Sequence, residues 1–178
     1  AQHAARRGTI HMINFTYRGS AAFQKAIELV KQGALGELRH VHSLYLQSWL
    51  SANIWGHWSS EAFLWRLQTA AGSGGVLGDI GCHQIDPVFR ALKLGHPTSV
   101  EACCTLVNDE TYPVASRVTY EFPAREGLVP VKLHWYDGGM RPPRPDDLDP
   151  DATWGDNGTL YVGDKGKMFR YRLIPEAK

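Results

Sequence analysis

The sequence predicts an α/β (α+β) fold, an open, mostly antiparallel sheet with helices on one face. Three observations point there. Helical and extended patterns alternate early in the chain and then give way to strands. Residues 100–107, 115–122 and 129–136 read as three successive strands. Loops rich in Asn, Asp, Glu, Pro and Gly join them, as in an antiparallel sheet. A glycine turn runs into a helix at Gly74-Gly75-Val76-Leu77, and Ile80, Ile85, Val88, Phe89 and Leu92 give that helix an apolar face.

Each element has its own signal. Ser20 is the expected N-cap of a helix running to Lys31, with Gly33 as its stop. Residues 38–46 alternate and read as a strand. His40 and His42 share one face of it, a surface or interface pair rather than a metal site. Residues 47–69 are irregular and hold Trp49, Trp55, Trp58 and Trp65, either as core plugs or as a wall for stacking a sugar ring. Residues 141–156 are rich in Pro and Asp without periodicity, hence a loop or a mobile excursion. A last hairpin spans 158–171 and turns at Gly163-Asp164-Lys165-Gly166. No internal repeat is present.

Composition excludes several classes. At 178 residues and 43% hydrophobic, the chain can bury one core. A net charge of +1 marks no nucleic-acid binder. No apolar run nears the ~20 residues of a membrane-spanning helix. Cys82, Cys103 and Cys104 make an odd count and are expected as reduced, buried thiols. Cys82 adjoins His83 but points away from it on a helix, so a small packed thiol is expected rather than a nucleophile.

The chemistry concentrates on one helix. Asp79, His83 and Asp86 fall at i, i+4 and i+7 and face one side over about two turns. A histidine between two carboxylates can be held in one tautomer and tuned to exchange a proton near neutral pH. The same spacing also suits a structural hydrogen-bond set. A shared metal ion is disfavoured, because no second His or Cys stands at ligand spacing.

The run Gly-Gly-x-Leu-x-Asp-x-Gly-x-His-x-x-Asp, from Gly74 to Asp86, resembles the signature helix of the Gfo/Idh/MocA family of NAD(P)-dependent oxidoreductases. Other segments resemble that family in the same order. Asn14-Phe15-Thr16-Tyr17-Arg18 is similar to its Asn-x-x-x-Arg segment, and residues 26–40 to the helix and turn entering its second domain. Residues 97–102 and 158–166 are similar to a strand and a late hairpin of that domain. Trp135-Tyr136-Asp137-Gly138-Gly139 and the segment 172–176 resemble a subgroup acting on sugars.

The resemblance implies a dihydrodipicolinate-reductase-like C-terminal domain. Residues 19–178 would form a substrate-binding and oligomerisation domain, incomplete at its C-terminal end, and residues 1–18 a remnant of the last Rossmann helix and strand, the strand at 9–15. No G-x-G-x-x-G and no Glu-Lys-Pro motif is present. The resemblance implies NAD or NADP for the whole protein, and none is expected on this fragment. The implied reaction passes a hydride between NAD(P) and a hydroxyl or ketone of a sugar, inositol or related polyol. His83 would accept or relay the proton, Asp79 would orient and charge-stabilise it, and Asp86 would hold a neighbouring group or a substrate hydroxyl. Arg18 would reach substrate or cofactor near the domain junction, and Trp65 and Arg66 would bind substrate. A homo-oligomer through the open sheet face is implied, in the cytoplasm, with the periplasm kept open. The alternative is a non-catalytic sensor or regulator of a sugar or dinucleotide; a purely structural domain is the third reading.

Overall fold

The computed structural model describes residues 2–12, 14–46, 65–66, 68–105 and 107–175. Seven strands form one open sheet in the order β2-β3-β4-β1-β5-β6-β7. They are β1 (Leu38–Tyr45), β2 (Ser99–Cys104), β3 (Ser116–Phe122), β4 (Val131–Asp137), β5 (Asn157–Gly163), β6 (Lys167–Phe169) and β7 (Arg172–Ile174). β1 runs parallel to β4, and every other neighbouring pair is antiparallel.

The helices are α1 (Gln2–Arg6), α2 (Ala21–Lys31), α3 (Cys82–Gln84) and α4 (Asp86–Leu92). α2 begins after Ser20 as expected, although the Ser20 hydroxyl makes no capping bond. Its Ala26 and Ile27 pack with Val88, Ala91 and Leu92 of α4 against Val41, Leu133 and Tyr161 of the sheet. Strand alternation places these sheet residues on one face. Apolar burial there, at about 25 cal/mol per Å², fixes the helices to that side. The fold is the predicted one.

Five details depart from expectation. Residues 9–12 and 14–15 form no strand. A strand needs a hydrogen-bonding neighbour; instead Thr9 N–H turns back to Ala4 O, and a 3₁₀ turn, Thr16–Gly19, follows directly. The cysteines are free but exposed, because β2 is an edge strand with both faces open and Cys82 lies on the outer side of α3. Phe89 stays 38% exposed at the rim of the apolar face, edge-on to Phe122. The short β7, which no residue pattern marks, extends the late hairpin into a third strand.

The fifth concerns the sheet face opposite the helices. It is not wholly free. Met140 packs with Leu44, Leu46, Tyr136 and Phe169, and Trp154 stacks on Phe169 at 4.6 Å. Charged side chains tie this loop down. Arg141 Nη2 bonds Asp156 at 2.6 Å, Arg144 Nη2 donates to the carbonyls of Asp149 and Ala152 at 2.6 and 3.0 Å, and Lys167 Nζ bonds Asp147 at 2.7 Å. The Pro/Asp-rich stretch is thus an ordered cover over the β5–β6 side. Over β1 and β4 the face shows His40, His42 and His134, rings stacked 4.7–6.3 Å apart and within 15° of parallel. His40 Nδ1 lies 3.5 Å from His134 Nε2. Among the described residues no group of three His, Cys, Asp or Glu is arranged to hold an ion. No helix among them is long and apolar enough to cross a membrane.

Candidate active site

The signature segment begins in left-handed backbone, with Gly74 at φ 79° and Gly75 at φ 64°. A Cβ on Gly78 would sit 2.0 Å from the Ser73 carbonyl oxygen, so only glycine fits. A π turn follows, Leu77–Gly81, leading into α3 and α4. Such turns are rare and concentrate at functional sites. The spacing predicts a regular α-helix here, but a π turn advances by less than 100° per residue. Asp79 stands inside that turn and His83 in α3 beyond it.

The three side chains lie along one helix but do not bond one another. Asp79 Oδ1 is 3.6 Å from Arg66 Nε. Asp86 accepts two hydrogen bonds from Arg18, Nε to Oδ2 at 2.9 Å and Nη2 to Oδ1 at 2.5 Å. This bidentate pairing fixes both planes. His83 touches neither carboxylate by a hydrogen bond. Its ring lies 5.2 Å from Tyr17 and 6.4 Å, edge-on, from Phe15. The Arg18 guanidinium covers the other ring of that group, 4.1 Å above Phe15. His83 Nδ1 is buried without a hydrogen-bond partner among the described residues.

The expectation that Asp79 locks the tautomer of His83 is therefore not realised in this arrangement. Arginines hold the carboxylates, and aromatic packing holds the imidazole. With Nδ1 unpartnered, no hydrogen bond commits the ring to one tautomer. Nε2 remains as the nitrogen for an incoming group.

Arg66 joins two other predicted residues. Its guanidinium lies 4.6 Å over the Trp65 ring while its Nε approaches Asp79. Trp65 is 42% exposed and offers an open aromatic face. Trp49, Trp55 and Trp58 lie outside the described residues. Cys82 donates its thiol to the Asp79 carbonyl at 3.3 Å. Partial desolvation, aided by the Asp79 charge, raises the thiol above its ordinary value. That disfavours the thiolate a nucleophile needs.

Sequence reasoning missed Tyr17 and Phe15 as the residues that hold His83. Their signal was present, since both stand inside the Asn14-to-Arg18 segment. It also missed Gln84, buried at 3% exposure beside His83.

The site is thus an Asp-x-x-x-His segment laid on the β3–β4 part of an open, largely antiparallel sheet, on the face the helices cover, and that architecture is the C-terminal domain of a family of oxidoreductases. The chain belongs to the GFO/IDH/MocA family, whose C-terminal domain matches residues 23–145. It is 34% identical over 80 residues to levoglucosan dehydrogenase of Pseudarthrobacter phenanthrenivorans, which covers 45% of this chain and 19% of that protein. It also superposes on the inositol dehydrogenase homolog from Azotobacter vinelandii, solved with NAD+. There the TM-score is 0.64 at 18% identity, over 93% of this chain and 39% of the other. An oxidoreductase domain protein from Kribbella flavida gives a TM-score of 0.57 at 26% identity, over 95% of this chain and 42% of the other. The chain thus spans about two fifths of the solved proteins it resembles.

Proposed function

We propose that this chain is the substrate- and proton-handling part of an NAD(P)-dependent oxidoreductase interconverting a hydroxyl and a ketone on a sugar, inositol or related polyol. The names of two similar proteins, a levoglucosan dehydrogenase and an inositol dehydrogenase homolog, support that substrate class. In this reading residues 19–178 are the substrate-binding and oligomerisation domain, and residues 1–18 belong to a preceding dinucleotide-binding unit.

The observation that carries it is the setting of His83. A buried nitrogen without a partner disfavours the folded state by about 1–3 kcal/mol. Here it lies on a ring held by packing alone, flanked by two carboxylates that are each held by an arginine. His83 takes the substrate hydroxyl proton at Nε2. Asp79, steadied by Arg66, keeps negative charge near the imidazolium that results. Arg18 and Asp86 position the loop carrying Tyr17 and Phe15 and so the ring. In this reading Arg18 and Asp86 act as positioning residues. Trp65 offers its exposed face to the sugar ring.

The described residues do not fit a dinucleotide. Gly72, Gly74 and Gly75 lead into a π turn rather than from a strand into a helix N-terminus, and the Gly78 N–H is already given to Gly74 O at 3.0 Å.

The test is turnover by the full-length protein of a panel including levoglucosan and myo-inositol, with NAD+ and with NADP+. Turnover of at least one member is expected. A protein that binds dinucleotide yet turns over no sugar or polyol would instead be a sensor.

A further inference from the structure

A cavity of about 210 Å³ lies on the helix-covered side of the sheet between α2 and β5. Tyr17 and Phe23 form one wall, stacked 5.0 Å apart and within 24° of parallel. Gln84, Thr159, Tyr161 and Tyr171 complete it. Gln84 is 3% exposed, and its Oε1 is buried with no hydrogen-bond partner among the described residues.

Such an acceptor is costly to leave unmade. The neighbours do not relieve it. Arg170 spends Nε and Nη2 on Asn157 O and Oδ1, at 3.0 and 3.1 Å. Thr159 Oγ1 shares its bond with Ser43 Oγ at 3.3 Å. Tyr161 is 2% exposed, and burial pushes its hydroxyl up, so it stays a neutral O–H group. No carboxylate lines the space, and its one guanidinium is engaged. The cavity therefore offers an orphaned acceptor, neutral hydroxyls and flat aromatic faces. It is smaller than the roughly 300–1,000 Å³ typical of drug-sized ligands.

We propose that this cavity binds a small, neutral, hydroxyl-bearing ring compound of monosaccharide size. One hydroxyl donates to Gln84 Oε1, and a C–H face lies on the Tyr17–Phe23 pair. The site is separate from the proton-transfer side of His83, although Tyr17 forms a wall of both. The substrate itself and a distinct sugar-like effector share this chemistry. Binding here does not depend on the proposed reaction.

The experiment is calorimetric titration of the full-length protein, without dinucleotide, with myo-inositol, glucose and levoglucosan in turn. At least one probe should bind. Gln84→Leu removes the acceptor, and Tyr171→Ala opens the partly exposed wall; each should weaken binding by about tenfold or more. Gln84→Leu should fold normally, since it deletes an unsatisfied buried group. His83→Ala should keep the affinity within about twofold while losing turnover, which separates this site from the catalytic reading. A probe that turns over and keeps its affinity in His83→Ala is substrate held at a second place; a probe that binds without turnover is an effector. No binding by any probe would overturn the proposal. So would affinity unchanged by Gln84→Leu and Tyr171→Ala, or affinity lost in His83→Ala alone.

Discussion

His83, Asp79 and Asp86 were legible as candidates because helix periodicity makes i, i+4 and i+7 neighbours on one face. Their partners were not. Arg18 is 68 residues from Asp86 in sequence, and nothing local announces the pairing. Periodicity also assumes a uniform helix, and the π turn at Leu77–Gly81 breaks that assumption at Asp79. A second residue-scale case is His42. Desolvation, then the charges of His134 and His40, lower it from 6.5 to about 4. Lys132 and Arg117 add positive charge around His134, and the neighbouring partners Tyr136 and Thr119 are neutral at pH 7. The folded state therefore keeps His42 neutral where the unfolded chain would protonate it. Its contribution to stability is present above pH 6.5 and is lost as pH falls toward about 4. The linkage reaches about 3 kcal/mol at most. Thermal melts from pH 7 to pH 4 should show this acid limb, and His42→Gln should flatten it. An unchanged limb in the variant would assign the acid loss to other groups.

At the scale of elements, α2 and β1 to β5 were legible to within a few residues, because alternation and capping signals act locally, whereas the strand expected at 9–15 is absent among the described residues and β7 had no signal. Sheet order was not. β1 lies between β4 and β5, with its one parallel contact to β4, and such long-range pairing leaves no local trace. The exposure of Cys103 and Cys104 follows from β2 standing at the edge, which no local pattern reveals. β4 ends on a polar network that fixes its junction with β3. Asp137, 3% exposed, accepts from Trp135 Nε1 at 2.7 Å and Ser116 Oγ at 2.8 Å, and from the Ser116 backbone N–H. Burial raises its carboxyl above the ordinary value, and these hydrogen bonds oppose the rise. Asp137→Ala strands these three donors at once, at about 1–3 kcal/mol for each that stays buried. Denaturant unfolding should show a loss of roughly 2–5 kcal/mol. A loss below ~1 kcal/mol would mean that water reaches those donors.

At the scale of the whole molecule, the uncovered part of the sheet points to self-association. The loop around Met140 and Trp154 covers the β5–β6 side. The β2–β3–β4 side stays open, with β2 exposed throughout and Val100 at 56% exposure. An open edge strand and an uncovered sheet face invite a second copy. We propose a homo-oligomer formed there, narrower in extent than a wholly free face would allow. Light scattering should give a dimer or tetramer, and a clean monomer at high concentration would contradict it.

All of this serves one claim, that His83 accepts the substrate proton from a ring held by aromatic packing. The most direct measurement is turnover of the best polyol by His83→Ala full-length protein, with and without added imidazole. General acid–base loss predicts a fall of about 10²–10⁴-fold in rate. Free imidazole should restore part of it, with near-normal cofactor affinity throughout. Turnover at the parent rate without imidazole would contradict the account.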